Sequence, residues 1–571
     1  MTAPAFRVDG VPASREAFYA VACDPARSCV VEACAGSGKT WMLVSRMLRA
    51  LLDGVAPHEI LAITFTRAAA GEMRQRLHDW LAEHSAPRSS HAKRVAALVV
   101  RGVAPRRAES LADELATLHG RVLAAGRPIE IRTFHAWFAQ LLRAAPMALL
   151  DRLGLAPDME LIEDLEDHRP AVLRAFHARV LRDPVLREDY AATTARRGRT
   201  QLGKWLAAAW WRRVEFEMAD EAGVLDESVE PAAALWPETD RFEHPVEAVL
   251  DVFWQGRLSR LAEVLGRGAK TQQEAAARLV AAFESRDPRS LFEAAWRALY
   301  TDKDEPRVLS KANAVLADTQ QALGLLWQQI EQQDARIEHQ RMVRLVRALL
   351  VAFADYKRSR GYADMADLER CALEILRDDE LAGWVQERLD ARVRHLLIDE
   401  FQDTSPLQWH ALHAWLSGYA GAGGGASGQS PPGIFIVGDP KQSIYRFRGA
   451  EPRVFEAAAR FVRDGLDGSV LACDHTRRNA PGVIVALNGV FGVAMAEAAF
   501  EGFRPHTTEV TAPAGSVEAL PRHPRDRRAG RPDANAAPTW RDTLTMPRLE
   551  AEIVLREREA ATVARRIVAR L

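Results

Sequence analysis

Apolar and polar positions change their spacing more than once along this chain. From Ser28 to Leu77 a short apolar run, Cys29-Val30-Val31, meets a glycine turn, after which apolar residues recur at Leu43, Met47 and Leu51 until Gly54. A spacing of four puts those three on one helix face, and a glycine just beyond the last is a common stop. A second apolar run, Ile60-Leu61-Ala62-Ile63, and a second helical pattern follow. Strands alternating with helices in this way predict a parallel α/β sheet with ligands at the carboxyl ends of its strands.

From roughly Arg74 to Arg392 that alternation stops. The stretch is rich in Ala, Leu, Arg and Glu, with only brief strand-like runs such as Ile129-Glu130-Ile131, and reads as a mostly helical insertion in the α/β domain. The sheet pattern resumes at His395-Leu396-Leu397-Ile398-Asp399-Glu400 and again at Ile434-Phe435-Ile436-Val437-Gly438-Asp439. Gly418 to Gly433, dense in Gly, Ala, Ser and Pro, reads as a flexible surface loop, and the proline- and arginine-rich Thr511 to Thr539 as a linker or disordered insertion. No repeat of solenoid period is visible.

At 571 residues the chain is too long for one core, so several domains are expected. Lys plus Arg number 76 against 77 Asp plus Glu, which leaves no overall positive field to attract nucleic acid. A nucleic-acid site must then be a local groove. The five cysteines show no paired C-x-x-C spacing, and reduced thiols in a cytoplasm are expected. No long uncharged apolar span or basic-then-apolar leader is seen, so membrane and export readings drop out.

Three constellations carry chemistry. The first is Ala33-Cys34-Ala35-Gly36-Ser37-Gly38-Lys39-Thr40, between an apolar strand and an amphipathic helix. Its glycines let backbone N–H groups wrap a β-phosphate, the helix start adds positive dipole, Lys39 suits β- and γ-oxygens, and the Thr40 hydroxyl suits Mg²⁺. Ala33 stands where the strict phosphate-loop pattern has Gly, and the bland alternative is a plain glycine turn. The second is Asp399-Glu400-Phe401-Gln402-Asp403-Thr404, at the end of an apolar strand where adjacent carboxylates are costly without a cation. Asp399 suits Mg²⁺ and Glu400 suits polarising the attacking water. The third runs from Val437 to Ala450: Gln442 can sense a γ-phosphate, and Tyr445, Phe447 and Arg448 mix aromatic faces with charge, as a single-strand stacking platform does. Aromatic residues of this kind also serve as core.

The AGSGKT turn, Thr64-Phe65-Thr66 with Ala69-Ala70 and Glu72-Met73, Thr133-Phe134-His135, DEFQDT and GDPKQSIYRFRGA resemble, in order, the motifs of UvrD-like superfamily 1 DNA helicases. The long insertion, and Phe447 where many relatives carry Trp, resemble the RecB/AddA branch. The resemblance implies a RecA-like P-loop NTPase sheet with a large helical insertion and the start of a second RecA-like domain. Expected boundaries are 1–85 and 391–470 for the first RecA-like domain, 86–390 for the mostly helical insertion with return segments to the core, and 471–571 for the start of the second. It implies ATP and Mg²⁺ as ligands. It also implies 3′-to-5′ movement on single-stranded DNA, action at duplex DNA ends in double-strand-break repair and recombination, and, for a candidate partner, a second helicase or nuclease subunit. Phe65, Thr66 and His135 are expected to line the DNA path, with Tyr445, Phe447 and Arg448 coupling nucleotide state to bases; a satisfied core histidine is the alternative for His135. A family arginine at the γ-phosphate falls at Arg478 when counted back from Asn488, with Arg477 as fallback.

Two positions depart from the family pattern. The adenine-reading Gln has no counterpart in Ala13-Ser14-Arg15-Glu16-Ala17, which leaves base selectivity open, and Ala68 replaces a Lys expected to touch the DNA backbone. The last helix-like run, Leu549 to Leu571, ends without Gly, Pro or a capping residue. The chain is therefore expected to stop inside the second domain, binding ATP without working as a motor by itself. A nucleotide-dependent DNA-binding scaffold is the alternative, against which Lys39, Asp399, Glu400 and Gln442 all speak. A nuclease is the further rival, for which no carboxylate cluster with a following Lys appears after Arg478.

Overall fold

Asp9 and Gly10 both adopt positive φ, 49° and 81°, the backbone of a two-residue hairpin turn, and fold Phe6–Val8 (β1) back on Val11–Pro12 (β2). The computed structural model describes residues 4–143, 145, 147, 159–162, 164–307, 314–377, 393–420, 431–445, 449–500, 502–524 and 551–570. The strands after that hairpin are β3 (Cys29–Ala33), β4 (Ile60–Thr64), β5 (Glu130–Thr133), β6 (Glu160–Ile162), β7 (Tyr362–Asp364), β8 (His395–Ile398), β9 (Gly433–Gly438), β10 (Ser469–Cys473), β11 (His475–Thr476) and β12 (Thr507–Thr508). Eight of them form one sheet in the order β2-β1-β10-β3-β9-β8-β4-β5. From β10 to β5 every neighbour is parallel, and the hairpin closes the other edge antiparallel.

Both faces of this sheet are dry. Successive side chains on a strand point to opposite faces, so Phe435 and Val437 of β9 enter one core while Ile434 and Ile436 enter the other. The first core is filled by helices Arg15–Ala22, Lys39–Leu52, Arg67–Ser85, His91–Val100 and Pro105–Ala124. The second is filled by Phe134–Arg143, Met365–Arg377, Pro406–Ser417 and Arg453–Gly465. Strands covered on both sides read as continuous apolar runs, and β8 and β9 do so in the sequence. The helices between residues 91 and 124 thus pack on the sheet core, and β10 straddles the expected boundary at 470/471.

The insertion is organised by one helix, Ala314–Arg360, of 47 residues. At 1.5 Å per residue it runs roughly 70 Å. Leu316, Leu323, Leu326 and Ile330 recur along one face and build a core with helices Val252–Gly266, Lys270–Ser285 and Pro288–Leu299. Further along, Leu345, Val346, Leu349 and Phe353 build another with Arg169–Arg182, Pro184–Arg197 and Arg199–Trp211. Buried Asp334 stands between the two and joins them: Arg289 from one side, Arg196 from the other, and His244 each lie 3.1 Å from its carboxylate. Burial alone would raise its pKa, and these partners reverse that and hold the carboxyl well below its usual range. Gly361, at φ 66°, follows the last helical residue where a left-handed stop is required. Among the described residues no helix is long and apolar enough to cross a membrane, and all five thiols are buried and unpaired.

His395 opens β8, where a side chain at Gly433 would press to 3.0 Å from its ring. Burial, helped by Arg46 and Arg394, pushes the imidazole pKa down to about 4. An unfolded imidazole titrates near 6.5, so between pH 6.5 and 4 the unfolded chain takes up the proton and the folded one does not. Stability from the neutral ring is complete above pH 6.5 and is lost as pH falls towards 4, by up to about 3 kcal/mol. Thermal melts from pH 7 to 4.5 should show a smaller loss in His395→Asn than in wild type. Parallel curves for the two proteins would mean that the ring titrates normally.

Candidate functional site

The loop after β3 is anchored at both ends. Cys34 N–H donates to the carbonyl of Cys473 on the neighbouring strand at 3.1 Å, and Ser37 N–H closes the turn onto Cys34 at 3.2 Å. Gly36 and Gly38 take φ of 77° and 96°, which side chains resist. At Gly36 the lack of a side chain matters twice, since a Cβ there would lie 2.5 Å from Thr476 Oγ1 and 2.7 Å from Arg478 Cβ. The segment after β10 therefore rests directly on the loop. Gly38 caps the helix beginning at Lys39 without a side-chain acceptor, so the first-turn N–H groups face the loop as an anion cradle.

Lys39 crosses to β8 and pairs with Glu400, Nζ to Oε2 at 2.5 Å. Glu400 sits in left-handed backbone, φ 50°, which turns it back over the strand end. The same Oε2 accepts from Gln402 Nε2 at 2.7 Å, while Gln402 Oε1 accepts from Asp439 N–H at 2.9 Å. Asp439 in turn accepts from Gln442 Nε2 at 2.7 Å and lies 3.2 Å from the Lys441 ammonium. Lys441 also pairs with Glu32 of β3. Lys39, Glu400, Gln402, Asp439 and Gln442 thus form one hydrogen-bonded chain across β3, β8 and β9. The sequence motifs assign Gln402 no role, although a neutral amide between acids at a buried strand end is the signal that could have marked it.

Two carboxyls nearby lack enough positive charge. Burial, reinforced by the Glu400 carboxylate, raises Asp399 to about 7 and Asp403 to about 6. Asp403 Oδ1 and Ser37 Oγ are buried with no hydrogen-bond partner among the described residues. Orphaned polar atoms and underneutralised acids beside a glycine-rich anion cradle fit a phosphate chain carrying a divalent cation. Among the described residues no three His, Cys, Asp or Glu converge as metal ligands, so such an ion would fill the rest of its shell with water and phosphate oxygens.

The match to known families agrees with this geometry. A description of the UvrD/REP helicase N-terminal domain fits residues 13–462. The chain belongs to the UvrD/REP helicase family. It is similar to an ATP-dependent helicase/nuclease subunit of Pelotomaculum thermopropionicum, with 26% identity over 83% of this chain and 38% of that protein. The subunit of the same name from Exiguobacterium sibiricum is 24% identical over 83% of this chain and 39% of its own length. That from Staphylococcus haemolyticus is 35% identical over 28% and 12% respectively. The chain spans under two-fifths of the length of these relatives.

In this UvrD/REP-family chain the other expected site residues fall in three places. Phe65 stacks on Tyr445, ring centroids 4.7 Å apart and 29° between planes, and Thr66 beside it caps helix Arg67–Ser85 by accepting from Ala69 N–H at 3.1 Å. His135 Nε2 lies 3.0 Å from Glu369 Oε1, a buried carboxylate that also accepts from Gln408 at 2.6 Å and Ser405 at 3.3 Å. A satisfied histidine and a partly exposed one are here the same residue, because a third of its side chain remains open. Arg478 is exposed beside Gly36, whereas the Arg477 guanidinium lies over Tyr19 and Trp41 and donates to the Tyr19 hydroxyl at 3.0 Å. Phe447 and Arg448 lie outside the described residues.

Gln402→Ala would strip Asp439 N–H and Glu400 of a partner at once in a buried place. A loss of about 1–3 kcal/mol is expected for a buried polar group so orphaned. Urea unfolding measures it, and an unchanged midpoint would mean that Gln402 bridges nothing.

Proposed function

We propose that this chain binds and hydrolyses ATP with Mg²⁺ as part of a DNA helicase or translocase that moves 3′ to 5′ on single-stranded DNA. Its setting would be double-strand-break repair and recombination in the cytoplasm, at duplex ends and beside a second helicase or nuclease subunit. The observation that carries the reading is the meeting of Lys39, Glu400 and the Gln402–Asp439–Gln442 bonds at one sheet edge. The relatives bear the name of ATP-dependent helicase/nuclease subunits, which supports the choice of nucleotide.

The chain's own residues divide the work. N–H groups from Ala33 to Thr40 would wrap the phosphates, and Lys39 would leave Glu400 for their oxygens, since a polyphosphate outcompetes a single carboxylate for an ammonium. Glu400, released and still steered by Gln402, would then accept a proton from the attacking water. Thr40 and Asp399 would hold Mg²⁺, which when bound neutralises charge on the phosphate oxygens. Gln442 and Arg478, with Arg477 as the alternative, would face the γ-phosphate. The stacked Phe65 and Tyr445 would offer aromatic faces to DNA along a path with Thr66, His135, Phe447 and Arg448.

Lys39→Ala should abolish nucleotide binding in a fluorescence titration, and equal affinity in both proteins would sink the phosphate-loop assignment. Glu400→Gln keeps the shape and removes the base, so nucleotide should still bind while turnover falls on the order of 100-fold or more. Unchanged hydrolysis by this variant in a protein with measurable DNA-stimulated turnover would move the base elsewhere.

A further inference from the structure

The strands β10, β3 and β9 are adjacent and parallel, and each brings a carboxylate to the same edge: Asp474 just after β10, Glu32 in β3, and Asp439 just after β9. Glu32 and Asp474 have no part in the hydrolytic set. Like charges this close are unfavourable unless cations separate them. Lys441 pairs with Glu32 and lies 3.2 Å from Asp439, and Arg504 Nη1 reaches Glu32 at 2.8 Å while its Nε reaches Asp474 at 2.7 Å. Asp474 and Asp439 are buried and Glu32, Lys441 and Arg504 are half-buried, so water screens the group poorly.

Arg504 does not belong to the sheet. It lies between helix Pro481–Ala496 and β12, in a segment pinned separately by Asn488, whose side chain exchanges two 2.8 Å hydrogen bonds with the backbone of His506. Glu32 is consequently where two chains of polar contacts meet. One runs from Glu400 through Gln402 and Asp439 to Lys441, the other from Arg504 to Asp474. Gln402 uses both ends of its amide, so a shift of Glu400 cannot be absorbed there without disturbing Asp439.

We propose that Glu32 and Arg504 are positioning residues that tie the Asp439–Gln442 turn to the segment beyond β10, so that this segment responds to the terminal phosphate of a bound triphosphate. The proposal rests on the nucleotide-binding reading above. A terminal phosphate that draws the Gln442 amide off Asp439 starts the displacement, and Lys441 and the shared carboxylate of Glu32 carry it to Arg504. The coupling is energetic and therefore reciprocal: the segment's position must change the preference for triphosphate over diphosphate by the same factor.

The test measures equilibrium binding of ADP and of a non-hydrolysable ATP analogue to the full chain, together with hydrogen exchange across residues 475–510. Wild type should discriminate between the two nucleotides and show exchange in that segment altered by the analogue alone. Glu32→Gln and Arg504→Gln should each move the affinity ratio towards one by roughly five-fold or more. The double variant should do no more than either single, because both remove the same contact. A merely structural role would weaken both nucleotides equally and leave the ratio intact, and that result overturns the coupling, as do single effects that multiply. Should Glu32→Gln fail to fold, Arg504→Gln decides alone, since it leaves β3 untouched. Wild type that binds neither nucleotide would sink the nucleotide reading and this one with it, whereas an unchanged ratio in the variants sinks only the coupling.

Discussion

A parallel sheet covered on both faces leaves polar side chains only one place to stand, the edge where its strands end. The whole site follows from that restriction. The glycine loop after β3, Glu400 after β8, and Asp439 after β9 share the edge because apolar packing excludes them from anywhere else. Crowding then forces each carboxylate to find a cation or an amide, and most do: Glu400 has Lys39 and Gln402, Glu32 has Lys441 and Arg504. Asp399 and Asp403 are left short of positive charge, and they are the pair beside the loop where phosphate and metal would arrive.

What could be read in the sequence was whatever local chemistry spells out. Apolar runs located β3, β4, β8 and β9, and the glycine loop and DEFQDT marked two candidate halves of the site without knowledge of their contact. Pairings across long separations were not legible. Nothing in Ser469–Cys473 says that it enters the sheet between β1 and β3, which is why a boundary drawn at 470/471 runs through it. The hairpin of β1 and β2 does not show in the hydrophobic pattern, because strands of three and two residues are too short for a period to register. Glu32 reads as an interruption of an apolar strand, and its two cations lie 409 and 472 residues away.

The helical insertion solves a different problem with the same means. Its two cores would be independent bundles were it not for the single helix that runs through both and the buried Asp334 between them. A carboxylate with an arginine from each bundle is a poor source of net stability, since burial costs nearly what pairing returns. It is a good source of alignment, because two arginines and a histidine converge on it only when both bundles hold their positions on the helix.

The partners of β3 also set a timetable. The hydroxyl of Ser28 just before it accepts from Ile434 N–H, a contact spanning 406 residues, and β10 comes later still. At about 5–20 residues per second a ribosome needs on the order of 20–80 s to supply the first of those neighbours. For that interval the phosphate-loop strand has no flanking strand on either side, and its apolar edge is open to wrong partners. A newborn chain of this fold therefore carries an unpaired apolar strand throughout that interval, and slowing synthesis within the insertion would lengthen the exposure.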